Sequence, residues 1–543
     1  MTTPVRRRRE LLARAQEKTF DLLVIGGGIT GAGIARQAAW MNISMALIEQ
    51  ADFASGTSSR SSKLLHGGLR YLAQGNFRLV REAVRERMAV YKAAPHLVRP
   101  LPFLFPQFEG NYPGMIRLAI GIWIYHAMIG FKSFGPHQRL SAAEIEKSIP
   151  GIRTAGLDGG YQYWDAQTDD ARLTLEIILD AEALGATALN RVRLLAARQE
   201  NGLWICDVED TSTAAEFSIR TQSVAVAVGP WMDRMARIFD AEALRRMRPT
   251  QGVHILIPSA RLSVPTAIVL LHPDDQRFMY AIPMESGTLI GTTDTDCSEP
   301  AVEPTVDNDS IDYLLRAANH FFPDKKLRRD DVFSMYAGLR PLILDDDVTA
   351  SKVSREHAVY QLATNVVAIG GGKLTTWRPM ANDAIAQILP SLRTTDTPSK
   401  AADREYRDRP LPGGVGIADR EVLAGRTAEI TSGYGLSMES AETVVYTYGA
   451  RADAVLATAQ SVAGGMKTYG RIGVLAGAFV FNVLHEHALT LDDLMRRRSR
   501  LYYTEYDQGR AVAREIAELV APHVEWDDSR VDAEVAAYLE LCL

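Results

Sequence analysis

Residues Gly26-Gly27-Gly28-Ile29-Thr30-Gly31 place glycines at the three positions of a GxGxxG turn, and their flanks leave little choice of local fold. Upstream, TFDLLVI from Thr19 to Ile25 is a short apolar run rich in strand formers. Downstream, small and apolar residues dominate from Ile29 to Trp40, as in a packed helix, and SMALIE from Ser44 to Glu49 is strand-like again. Together they make a βαβ unit, whose parallel strands need a covered sheet. In such a turn Gly26 permits the bend, Gly28 lets backbone approach a pyrophosphate, and Gly31 lets helix and strand pack closely. The helix N-terminus offers N–H groups to phosphates, and Glu49, closing the second strand, can accept hydrogen bonds from ribose hydroxyls. The expectation is a bound dinucleotide, NAD or FAD, which this spacing does not separate.

The chain is 543 residues long, enough for roughly two to four structural units. With 47% hydrophobic and 23% charged residues it has the apolar surface of a folded protein, and a net charge of −6 argues against a nucleic-acid partner. Cys206, Cys297 and Cys542 form no CxxC or metal-ligand pattern, which suits a reducing compartment. The basic start MTTPVRRRRE is followed by no apolar h-region, so no export signal is complete. It reads as a solvated arm over residues 1–18, with attraction to anionic lipid as the alternative. The most apolar stretch, Met115 to Phe131, is interrupted by Arg117 and His126 and is too short to span a bilayer. It reads as a buried helix or a one-leaflet membrane contact.

After a helix near Asp170 to Gly185, strand-like runs fill Ala188 to Val228. Others follow at HILIP, TAIVLL, FMYAIP and TLIGTT without an intervening helix, which predicts a separate antiparallel sheet. VVAI, Val366 to Ile369, leads into GGGKLTTW and a helix to about Leu389, so the βα theme returns. The Pro/Ser/Thr-rich stretch Pro390 to Lys400 reads as a linker into a mostly helical remainder. The expected organisation is the arm, an α/β unit over 19–395 (about 19–100, 150–235 and 340–395) with an interleaved antiparallel-sheet unit (about 101–149 and 236–339), and an all-helical domain over 396–543.

DLLVIGGGITGAGIA followed by TSSRSSKLLHGGLRYL closely resembles the FAD-dependent glycerol-3-phosphate dehydrogenases. Similar runs continue at DDARL, GPW, IGTTDTD, GLRPL, GGKLTTWR and HEHALTLDDLMRRRSRL, so the resemblance covers nearly the whole chain after the arm. It implies a Rossmann-like FAD-binding domain, an antiparallel-sheet substrate domain, and oxidation of sn-glycerol 3-phosphate with electrons passed to quinone. It also implies a homodimer, held peripherally at the cytoplasmic side of the membrane. On this resemblance His66 accepts the hydroxyl proton, an imidazole being neutral and available above its ordinary pKa of about 6.5. Arg70, in the run with Tyr71, holds phosphate, while Arg340 and Lys373 serve phosphate or the charge on the substrate oxygen. His254 and Arg355 line the same pocket. Thr57, Ser58, Ser62, Gly229 and Gly372 follow the cofactor, and Thr375 and Thr376 donate to flavin or substrate or else cap a helix.

One departure is Val226-Ala227-Val228-Gly229, where the family commonly shows Asn-Ala-Thr-Gly. It removes a hydroxyl and an amide near the cofactor but keeps the small residues. His485-Glu486-His487 is read as no metal site, because residues two apart on a helix diverge. Thr490 and Asp493 read as a capping box, and Arg496 to Arg498 as a solvated or subunit-facing turn. The alternatives are a glycerol-3-phosphate oxidase, although no long insertion separates Tyr280 from Arg340, and a non-catalytic FAD-binding membrane scaffold.

Overall fold

The computed structural model describes residues 3–69, 72, 75–110, 114–128, 134–344, 356–392 and 400–542. Thr19–Ile25 lies in the middle of a largely parallel sheet, between Met45–Ile48 and Ala215–Val226, with Val366–Gly371 next and Thr187–Leu189 beyond Met45–Ile48. Its side chains alternate between two cores. Leu22 and Val24 pack with the helices Ile29–Trp40, Asp170–Ala183 and Trp377–Ile388, while Leu23 and Ile25 meet Trp204, Val208 and Met232 on the other face. Such two-sided burial is why TFDLLVI is nearly continuously apolar.

A second, mainly antiparallel sheet carries Thr250–Pro258 between Gly287–Gly291 and Ser334–Arg340, then Phe278–Met284, Ala267–Leu271, Val98–Phe108 and Leu157–Thr168. Here the expected boundaries need correction. Leu157–Thr168, assigned from sequence to the α/β unit, pairs along its length with Val98–Phe108, and Leu64–Leu65 joins its edge. Alternation reveals a strand but not its partner, so the sheet switch was invisible in the sequence.

The basic arm is also corrected. Pro4–Glu17 is a helix capped by Thr3, with Pro4 and Ala15 buried. Arg8 reaches Asp210 at 2.9 Å and the Asn190 carbonyl at 2.9 Å, and Arg7 meets Glu182 at 3.2 Å. Two of its arginines are thus structural, while Arg6 and Arg9 stay in solvent.

Met115–Met128 is a helix with Leu118, Ile122 and Tyr125 buried. Its other face exposes Ile116 (78%), Ile120 (55%) and Trp123 (57%). No helix among the described residues is long and apolar enough to cross a membrane.

The C-terminal region is a helical domain that, among its described residues, has one short hairpin, Thr468–Tyr469 against Val474–Leu475. Buried charges join it to the rest: Glu486 accepts from Arg172 and Arg451, and His487 pairs with Glu182 at 2.9 Å. Thr490 and Asp493 form the reciprocal cap, at 3.2 Å and 3.1 Å. Arg496 to Arg498, read from sequence as a solvated or subunit-facing turn, are instead buried within the chain against acidic partners. A run of like charges signals solvent only when no carboxylates from elsewhere converge on it, and here Asp52 and Glu303 do.

Candidate active site

The carboxyl ends of the parallel strands open into a cleft of about 510 Å³, lined by Ile25, Ile48, Ala227 and Gly371. Ligands of open α/β sheets bind at this edge, and the volume is that of a small-molecule site. The glycine turn forms its floor. Gly26 has φ +109°, and a Cβ there would sit 2.6 Å from the Ala227 carbonyl oxygen. A Cβ on Gly31 would stand 1.9 Å from the Gly26 oxygen, so helix and turn touch only because both lack side chains. Gly28, Ile29 and Thr30 open the helix toward the cleft. Ser58 Oγ accepts the Ile29 N–H at 2.9 Å and thereby fastens the hydroxyl-rich loop to the helix start.

Glu49 lies on the cleft wall. Its carboxylate accepts Gly27 N–H at 2.7 Å and Ala51 N–H at 2.9 Å. Burial raises its pKa, against the pull of those two bonds. Thr57 lines the cleft and donates to the Leu339 carbonyl at 2.6 Å, tying the loop to the second sheet. Gly229, with φ +57°, and Gly372 complete the bare backbone walls. A cradle that added methyl groups would fill, a helix N-terminus and a wall carboxylate fit the pyrophosphate and ribose of a dinucleotide.

Lys373 lines the same cleft. Thr375 and Thr376 are buried behind it. Thr376 donates to the Lys373 carbonyl at 3.4 Å and makes no side-chain cap for the following helix, so the capping alternative is not realised.

A second cluster begins one residue past the cleft lining on two segments, the loop before Leu64–Leu65 and the end of Ser334–Arg340. Ser61 and Pro341 line the cleft; Ser62 and Arg340 belong to the cluster. Ser62 Oγ is hydrogen-bonded to His254 Nε2 at 2.8 Å, and the imidazole stacks on Tyr336 with centroids 4.8 Å apart. Ser62, expected at the cofactor, is thus a partner of His254. Burial, then the positive charges of Arg340 and Lys63, push the His254 pKa down to about 3, so its ring is neutral. The Arg340 guanidinium is pinned by Asp294 at 3.0 Å, Thr292 at 2.9 Å and the Thr293 carbonyl at 2.9 Å. His66 follows Leu64–Leu65 at the sheet edge; it is not among the described cleft-lining residues, and the next N–H, of Gly67, donates to Tyr125 at 2.9 Å. Arg70, Tyr71 and Arg355 lie outside the described residues.

Sequence reasoning gave no role to Asp170, within DDARL. Its carboxylate accepts from Ser61 N–H at 3.0 Å, Ser61 Oγ at 2.7 Å and the buried Lys63 ammonium at 2.6 Å, so it holds the segment between cleft and cluster. The available signal was an acidic pair opening a helix after a strand.

Comparison with known proteins agrees with this geometry. Residues 21–376 match the FAD dependent oxidoreductase family, and residues 406–531 match the C-terminal domain of alpha-glycerophosphate oxidase. Glycerol-3-phosphate dehydrogenase 2 of Mycobacterium tuberculosis (strain ATCC 25618 / H37Rv) is 36% identical over 97% of this chain and 88% of its own. The aerobic glycerol-3-phosphate dehydrogenase of Bacillus subtilis (strain 168) is 31% identical over 96% and 94%. The solved glycerol-3-phosphate dehydrogenase from Bacillus halodurans complexed with FAD superposes with a TM-score of 0.81 at 29% identity, covering 100% of this chain and 98% of that one. FAD is therefore the dinucleotide that the cleft accommodates. With a glycine cradle, a cation at its wall and a second-sheet cluster beside it, the chain belongs to the FAD-dependent glycerol-3-phosphate dehydrogenases.

Proposed function

We propose that this protein oxidises sn-glycerol 3-phosphate to dihydroxyacetone phosphate and passes the electrons to a membrane quinone. The observation that carries the substrate half is the placement of Lys373 in the same cleft as Ser61 and Pro341, the chain neighbours of Ser62 and Arg340 in the second cluster. A phosphorylated polyol needs fixed cations for its dianion and a neutral base for its hydroxyl proton. Lys373 and the pinned Arg340 supply the first, and His66 takes the proton. His254, uncharged and bonded to Ser62, orients the substrate without adding repulsion to the cations. Bound FAD supplies the two-electron, hydride-accepting chemistry.

Support for a lipid-soluble acceptor comes from a separate pocket against the second sheet, at Val98–Phe108, Leu157–Thr168, Ala267–Leu271 and Phe278–Met284. An apolar pocket of about 210 Å³ is lined by Leu69 and Leu72 of the HGGLRYL run together with Phe77, Leu118, Ile120 and Tyr280. The exposed Ile116 and Trp123 lie on the same helix as Ile120, and exposed Arg78, Arg81 and Arg85 lie on the helix packed beside it. Apolar side chains rimmed by arginines suit one leaflet of an anionic bilayer.

The test is anaerobic. Glycerol 3-phosphate should bleach the flavin absorbance and a short-chain quinone should restore it, whereas His66→Asn should leave the flavin oxidised on the same timescale. A wild-type flavin untouched by glycerol 3-phosphate overturns the substrate assignment. Reduced flavin that dioxygen reoxidises but quinone does not overturns the acceptor.

A further inference from the structure

The arginine turn that the sequence left without a role stands against the cofactor cleft. Arg497 and Asp492 line it from the C-terminal domain, and Arg60, Val302 and Glu303 line it from the two other units. The three consecutive arginines do different work. Arg497 Nε and Arg498 Nη1 reach the same oxygen of Asp52 at 2.6 Å and 2.9 Å, and Arg498 Nη2 reaches the other oxygen at 3.0 Å. Asp52 is wholly buried, in the loop that continues from Glu49 along the cleft. Arg497 also binds Asp492 and Asp493, each at 2.6 Å, and the same Asp493 oxygen accepts from Arg191, another residue of the cleft lining, at 2.7 Å.

Arg496 shares Asp492 with Arg497, at 3.4 Å, and adds a partner of its own. It reaches Glu303 at 3.3 Å, and Glu303 accepts from Arg60 on its other oxygen. Glu303 belongs to a segment fastened at both ends: Trp231 Nε1 donates to the Pro300 carbonyl at 3.0 Å, and Gln251 Nε2 to the Thr305 carbonyl at 2.9 Å. Between those anchors, Val302 and Glu303 are the residues that face the cleft.

We propose that Arg496 to Arg498 form a cofactor-retaining clasp, in which Arg497 and Arg498 fix the cleft wall through Asp52 while Arg496 and Arg60 hold Glu303 closed over the mouth. The two halves differ in how they open. Separating Asp52 from its arginines strands buried charges, so that half stays shut while the protein is folded. Glu303 is half-exposed, and its pairs are within reach of water and salt. The strap Pro300 to Thr305 is therefore where FAD leaves, and the C-terminal domain sets the rate.

The experiment measures FAD release from the holoenzyme by the rise of free-flavin fluorescence after dilution, at low and at high ionic strength. Wild-type release should quicken with salt. Glu303→Gln should release FAD about fivefold faster at low salt and lose most of the salt dependence, with the melting temperature of the apoprotein unchanged. Glu303→Asp, which keeps the charge, should fall between the two. Release at the wild-type rate in Glu303→Gln at both ionic strengths overturns the proposal. So does faster release accompanied by a matching fall in apoprotein melting temperature, which would mark a general loosening.

Discussion

The cofactor cleft and the His254–Arg340 cluster adjoin, yet they are built by opposite means. The cleft is made of backbone and missing side chains: Gly26, Gly28 and Gly31 let chain segments approach one another, and its selectivity lies in what would not fit. The cluster is made of long side chains from several strands, and it works only because Asp294, Thr292 and Ser62 hold those side chains in place. A site made by removal fails when atoms are added, whereas one made by assembly fails when they are taken away. Substitutions should therefore give separable losses, of flavin from the first region and of turnover from the second.

The largest expected effect is Gly31→Ala. A Cβ 1.9 Å from the Gly26 oxygen cannot be accommodated without moving the turn, so the protein should purify without flavin and lose about 3 kcal/mol of stability. Absorbance of the purified protein and urea unfolding read the two losses. A yellow, fully loaded Gly31→Ala protein would mean that the cradle is not backbone-limited. Lys373→Met comes next. It should lower kcat/KM for glycerol 3-phosphate about 100-fold while flavin content stays complete. Loss of flavin in that variant would break the comparison, because it would make Lys373 a cofactor residue.

The same contrast explains what the sequence disclosed. The glycine turn was legible because its constraint is local: three glycines, a strand before and a helix after lie within a few residues of one another. Glu49, Thr57, Ser58, Gly229 and Gly372 all line the cleft, Glu49 from the end of the second strand and the other four at positions that the resemblance indicated. The cluster was found only through resemblance, since nothing local to His254 says that Ser62, 192 positions away, will be its partner. Asp170 and the Arg496 to Arg498 turn escaped altogether. Their roles come from contacts distant in sequence, Asp170 with Ser61 and Lys63 and the arginines with Asp52 of another domain, and a one-dimensional reading sees only a helix cap and a basic run. The sheet change at Leu157–Thr168 was missed on the same ground, because strand partners are chosen in three dimensions.

Arg340→Lys sharpens the comparison at smaller amplitude. Lysine keeps the charge but loses the planar fork that binds Asp294 and Thr292 together. KM for glycerol 3-phosphate should rise about tenfold with flavin content unchanged and kcat reduced less. Equal falls in kcat and kcat/KM would show instead that Arg340 acts only on the transition state.

The smallest effect tests the burial of the cluster itself. His254 is held neutral in the folded protein because its pKa lies at about 3, whereas an unfolded histidine takes up its proton near 6.5. Between those values the unfolded chain binds more protons than the native one. This histidine therefore costs stability progressively as pH falls below about 6.5, and the cost is complete near 3. Above that window it adds no slope. From pH 6 to pH 5 the loss assigned to His254 is about 1 kcal/mol. His254→Gln removes the titrating group but keeps an amide able to bond Ser62. Urea unfolding at the two pH values should therefore show the variant losing about 1 kcal/mol less than wild type, with every other titrating group cancelling in the difference. Equal losses would place the imidazole in contact with water, and the cluster would then be an open surface rather than a preorganised wall beside the flavin.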